Sequence, residues 1–149
     1  MAFKNPNTVL IVIYAKNTNR VLMLQRKDDP DFWQSVSGSL EPNEKPYKAA
    51  IREVTEETGF QIKAEHLCLF DCKKQIEFEI FPHFRYKYAP SVTHCREHWF
   101  LLALPEERIP TLAEHLAYQW LDPEQAAELT KSPNNSEAIK QYLIHKSAV

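Results

Sequence analysis

Gly38-Ser39-Leu40-Glu41-Pro42-Asn43-Glu44-Lys45-Pro46-Tyr47-Lys48-Ala49-Ala50-Ile51-Arg52-Glu53-Val54-Thr55-Glu56-Glu57-Thr58-Gly59-Phe60 is the stretch from which the rest of the chain is read. Pro46 to Thr58 has helical composition, with Pro46 suited to the first turn. Gly59 stands just past the end, where a positive φ is wanted. At about 100° per residue, Glu53, Glu56 and Glu57 fall within an arc of about 100°, and Ala49 lies inside it. Tyr47, Ala50, Ile51, Val54 and Thr58 form a separate arc. One face is therefore expected to pack and its neighbour to carry carboxylates.

Like charges at these spacings cost a helix roughly 0.2–0.5 kcal/mol per pair. A hard divalent cation offsets that cost, because Mg²⁺ prefers carboxylate oxygen and water. Ala49 leaves room for such an ion. Arg52, four residues before Glu56, can orient a carboxylate from behind. An acidic helix face alone would read as solvated surface. Seven fixed identities (Gly38, Glu44, Arg52, Glu53, Glu56, Glu57, Gly59), each at about 6–7% usage, recur by chance on the order of once in 10⁸ start positions, which decides against that reading.

Outward from the helix, the chain alternates strand and helix signals. Thr8 to Ala15 is rich in β-branched residues and Val21 to Gln25 follows after a Lys16-Asn17-Thr18-Asn19 turn, so the two are expected as a hairpin. Phe32 to Ser37 is expected as a short strand leading into Gly38. Leu67 to Ile80, Phe84 to Tyr88 and His98 to Leu104 read as extended, and Glu114 to Leu121 enters another strand. Asp122 is expected to cap a helix opened by Pro123, and Ser136 to His145 to form a terminal helix. This order points to a mixed α/β (α+β) sheet covered by helices, in one domain over residues 1–149.

Composition narrows the function. The chain has 149 residues, 44% hydrophobic and 26% charged, with a formal net charge of -2. That balance argues against a general nucleic-acid binder. Average usage predicts about 10 glycines, yet the chain has 2, so a Walker loop and a dinucleotide fingerprint are both excluded. No run of 18 apolar residues and no signal-peptide pattern is present, and Cys68, Cys72 and Cys95 form no CxxC pair. These features lead to the expectation of a cytoplasmic protein with no membrane partner. His94 and His98 are four apart in an extended segment, which is not a zinc pattern.

The 38–60 segment resembles the Nudix box, G-x5-E-x7-R-E-U-x-E-E-x-G-U with U apolar, at every defined position; Val54 and Phe60 fill the apolar slots. The resemblance implies a Nudix hydrolase: an α/β/α sandwich with helices on both faces of a mixed sheet, cleaving a phosphoric anhydride with Mg²⁺ or Mn²⁺. Flanking segments, Gln25 to Val36, Glu77 to Phe81, Tyr88-Ala89-Pro90 and Glu114 to Leu121, resemble the bacterial branch that removes pyrophosphate from 7,8-dihydroneopterin 3'-triphosphate in folate synthesis, whose relatives also act on dATP. The resemblance implies a small-molecule triphosphate substrate and no stable nucleic-acid partner, and it fixes no oligomeric state. Other branches, acting on oxidised nucleotides or RNA 5' ends, are rival readings. A non-catalytic nucleotide sensor is another, disfavoured by the intact box.

Residue by residue, the resemblance makes Glu53, Glu56 and Glu57 the expected catalytic metal ligands, with Glu114 from outside the box completing the site or acting as base. Arg52, Glu44 and Gly38 are expected to support them. Arg26 suits bidentate phosphate binding. Lys4, Ser37 and Ser132 are further expected substrate contacts, on the resemblance alone. A pterin needs a flat apolar slot, for which Phe32, Trp33, Phe81, Phe84, Tyr86 and Trp99 are candidate walls.

Overall fold

The computed structural model describes residues 3–145. Its centre is β1 (Asn7–Ala15), whose residues alternate between two cores. A strand buried on both faces reads as a continuous apolar run, as Val9 to Ala15 does. β1 pairs antiparallel with β2 (Val21–Arg26) and with β4 (Val36–Ser39), and parallel with β6 (His94–Leu104). β2 also pairs antiparallel with β3 (Trp33–Gln34) and β7 (His115–Leu121), and β6 with β5 (Cys68–Glu79).

Helix α1 (Pro46–Thr58) covers one face. Ala49, Ala50 and Val54 pack there against Val9, Ile11, Ile13, Leu22 and Leu24. The other face is covered by α2 (Pro123–Leu129), α3 (Pro133–Ile139) and a π-helical turn Lys140–Ile144, through Ala126, Ala138, Ile139 and Leu143 on Leu10, Val12, Met23 and Trp99. The α/β/α sandwich expected of the chain is therefore the observed one. Among the described residues no helix is long and apolar enough to cross a membrane.

Several local expectations need correction. Phe84–Tyr88, expected as a strand, lies largely in a 3-10 helix over Pro82–Lys87, opened by Pro82 at its first position. Phe32–Ser37 is not one strand, since Ser35 interrupts it and Gly38 lies inside β4. β6 starts at His94, four residues early, and the terminal helical segment starts at Pro133. Asp122 occupies the cap position of α2 without a side-chain cap hydrogen bond. Ala49 is wholly buried in the α1 core and Tyr47 is 43% exposed, so the packing arc is rotated from the one expected. Gly59 has φ +79° and donates its N–H to Thr55 O at 2.9 Å, as its position requires.

Candidate active site

β4 and α1 come together at Gly38. A Cβ on residue 38 would overlap Glu53 Oε2 and Cδ, so the absence of a side chain makes room for that carboxylate. Glu53 and Glu57, one turn apart on α1, are both buried, whereas Glu56 and Glu114 are exposed at the rim of the same cleft. The carboxylate face of α1 is thus partly an interior face.

Arg52 organises this end. Its Nε and Nη2 donate to the two Glu44 oxygens at 2.9 and 2.8 Å, a bidentate pair, and Nη2 also donates to Ser39 O at 3.0 Å. Its Nη1 donates to Glu53 Oε1 at 2.8 Å and Glu56 Oε2 at 3.3 Å. The Arg52 hydrogen bond holds Glu44 below the usual carboxylate range. Glu44 also accepts from the Glu41 N–H at 2.9 Å, closing the turn before α1.

Burial pushes Glu53 up to about 7, helped by its hydrogen-bonding neighbour Glu56, although Arg52 pulls the other way. Glu57 is raised well above its ordinary value, by burial first and by Glu53 second. Glu57 Oε1 has no hydrogen-bond partner, and His115 Nε2 stands 3.7 Å away. Two adjacent buried carboxyls that resist ionisation, one with an orphaned oxygen, suit a hard divalent cation. Among the described residues no three carboxylate, imidazole or thiolate side chains already converge with metal-ligand spacing. Glu53 leans instead on Arg52, and Glu57 Oε1 is left without a hydrogen bond.

The cleft has a volume of about 930 Å³ and runs from these carboxylates to an aromatic wall. That wall is Phe32, Ile80, Phe81, Phe84 and Tyr88, with Cys95 in the cluster behind them. Between the two ends lies a cationic cluster. Arg26 sits 4.2 Å from the Phe84 ring centroid and donates through Nε and Nη2 to Asp28, both at 2.7 Å. Lys87 also pairs with Asp28, whose carboxyl the Arg26 hydrogen bonds hold far below the usual range. The Lys4 ammonium is lowered by burial first, then by Lys87 and Arg26, although the residue as a whole is exposed.

Of the residues singled out from sequence, Glu53, Glu56, Glu57 and Glu114 line the cleft at one end, and Lys4 and Arg26 meet further along it. Ser37 lines it too, with its Oγ accepting from Gln34 Nε2 at 3.0 Å. Ser132 lines it while capping α3, its Oγ accepting from Asn135 N at 3.1 Å. Glu44 and Arg52 stand behind the lining. Among the candidate walls, Phe32, Phe81 and Phe84 face the cleft, but Trp33, Tyr86 and Trp99 do not; Tyr86 is largely exposed. Phe78, Tyr88, Asp28, Lys87, Glu97 and His115 line it without having been singled out. The signal for His115 was its place beside Glu114 in the Glu114–Leu121 segment that carries the resemblance.

The NUDIX domain family matches residues 4–142 of the chain. The dihydroneopterin triphosphate diphosphatase of Haemophilus influenzae is 60% identical over 145 residues, covering 97% of this chain and 92% of that protein. The enzyme of the same description from Escherichia coli K12 is 57% identical over 143 residues, covering 96% and 95%. The solved structure of the E. coli dihydroneopterin triphosphate pyrophosphohydrolase superimposes with a TM-score of 0.96 at 55% identity, over 98% of this chain and 100% of that one.

Proposed function

The chain belongs to the NUDIX domain family, and from that premise we propose that it hydrolyses 7,8-dihydroneopterin 3'-triphosphate to the monophosphate and pyrophosphate, a step toward folate. The observation that carries this reading is 57–60% identity, over nearly the whole chain, to diphosphatases of that substrate. The cleft supports it, because one continuous space joins buried carboxylates, a cationic middle and an aromatic end.

In this reading Glu53, Glu56, Glu57 and Glu114 hold divalent metal, Mg²⁺ with Mn²⁺ able to substitute. When bound, such ions act as Lewis acids toward phosphate oxygens and lower the pKa of an attacking water. Arg52 holds Glu53 and Glu56 in place and is itself anchored by Glu44. Lys4, Arg26 and Lys87 meet the phosphate chain as positive charges in a partly desolvated setting, where such contacts are worth more than in water. For Arg26 that requires sharing or exchanging Asp28, which now fills its fork. Ser37 and Ser132 offer hydroxyl contacts beside it. The aromatic wall encloses the pterin ring and excludes water. No Ser, Cys or His nucleophile belongs to the box, so the reaction is direct attack by water. A cytoplasmic location fits the three free cysteines.

The test is product release by purified protein with Mg²⁺, comparing dihydroneopterin triphosphate with dATP, oxidised dGTP and a triphosphate-ended RNA. Pyrophosphate released fastest from the pterin is the expected result. Preference for oxidised dGTP or RNA would keep the chemistry and overturn the substrate.

A further inference from the structure

Starting at Ser39 beside the carboxylate end, the cleft carries a row of polar side chains that no catalytic role uses. In the sheet register Ser39 lies opposite Thr8, and Thr8 lies opposite Glu97. Directly paired residues share a face of a sheet, and all three line the cleft. Rows on either side are apolar or small: Cys95 belongs to the aromatic cluster, and Trp99 and Leu10 belong to the α2–α3 core. Glu97 is 6% exposed and Thr8 is 8% exposed.

The Glu97 carboxylate is only partly engaged. Trp99 Nε1 donates to its Oε1 at 3.0 Å. Nearby Asn134 helps to stabilise the charge, yet Asn134 Nδ2 makes no hydrogen bond in the described residues, and Ser39 Oγ makes none either. A buried carboxylate with one well-formed hydrogen bond, from the Trp99 indole, costs stability unless further donors reach it. Burial pushes its carboxyl up to about 7, and an arriving donor pair favours the ionised form. Tyr88 lines the same cleft, and Cys95, two residues before Glu97 on β6, belongs to the aromatic cluster, so Glu97 adjoins the wall that would stack a ring.

We propose that Glu97, oriented by Trp99, reads the heterocycle by accepting two neighbouring N–H donors of a 2-amino-4-oxo-pyrimidine edge. The inference rests on the proposed pterin substrate, whose ring carries such an edge; guanine carries the same donor pair and adenine does not. An ionised carboxylate is an acceptor only, so it matches two adjacent donors and opposes the N1 acceptor of adenine. Glu97 is then a specificity-determining residue.

The experiment compares wild type with Glu97→Gln on dihydroneopterin triphosphate, dGTP and dATP, reading kcat and KM separately. The amide keeps the volume and can still accept from Trp99, but it turns a donor toward the ring. The expected result is a fall of roughly 10–100-fold in kcat/KM for the pterin and for dGTP relative to dATP, carried mainly by KM. A ratio that stays within about threefold, or an equal loss on all three substrates, overturns the inference. If Glu97→Gln does not fold, Trp99→Phe removes the orienting N–H and is expected to shift the same ratio in the same direction by a smaller factor; an unchanged ratio overturns it equally. A wild-type enzyme that ignores the pterin refutes the proposed substrate, while the dGTP to dATP ratio still tests Glu97.

Discussion

Glu53 places its carboxylate in the space that a side chain at Gly38 would occupy. The overlapping atoms are the far end of a flexible side chain, so a methyl group there moves Glu53 without breaking the core. Gly38→Ala is therefore expected to unfold within about 1 kcal/mol of wild type. It is expected to lose on the order of 100-fold in turnover, since a shift of about 1 Å in a reacting group can cost that much. Thermal melts and steady-state rates on one preparation check both parts.

Arg52 joins Glu44, Glu53, Glu56 and the Ser39 carbonyl. Arg52→Lys keeps the charge but loses the planar fork that grips Glu44 at both oxygens. Activity is expected to fall roughly 10–100-fold, with a higher Mg²⁺ concentration needed for half-maximal rate. A titration of rate against Mg²⁺ measures it, and an unchanged midpoint would remove Arg52 from the positioning role.

Glu97 and Glu53 both have folded carboxyls raised to about 7, and Glu57 is raised well above the usual range. The folded state holds protons that the unfolded state has released, so metal-free stability falls as pH rises from about 4.5 through about 7. For Glu97 that loss is on the order of 3 kcal/mol. Glu97→Gln is expected to be less stable than wild type or equal to it near pH 5 and more stable at pH 8. Denaturant midpoints across that range, without metal, check the crossover.

Gly59 at φ +79° caps α1, and a Cβ there would lie 3.2 Å from Thr111 Cβ. Gly59→Ala is expected to cost about 1–2 kcal/mol. Its melting temperature should drop by several degrees while KM stays close to wild type. A large KM change instead would mean that the helix end reaches the substrate.

The box was legible because its logic is local. Helix spacing alone brings Glu53 and Glu57 together, and Gly59 marks the helix end. The burial of Glu53 was not legible, because it depends on Gly38 arriving from β4. Phe84–Tyr88 misread as a strand because Phe84, Tyr86 and Tyr88 alternate, although Pro82 was the stronger signal. Ala49 read as space for an ion and is core, a rotation of the helix that only the packed sheet decides. Glu97 and Lys87 carry no motif, and Asp28 lies in the Gln25–Val36 segment with nothing local to mark its role. The first reaches the cleft through parallel register with Thr8, and Asp28 and Lys87 meet across 59 residues of chain.

The most direct test is phosphorus NMR of the products from 7,8-dihydroneopterin 3'-triphosphate with Mg²⁺, run side by side on wild type and Glu53→Gln. Wild type should yield pyrophosphate and the monophosphate, and Glu53→Gln, folded by circular dichroism, should yield almost none. Orthophosphate as the first product, no turnover by wild type, or near-normal turnover by Glu53→Gln would contradict the account.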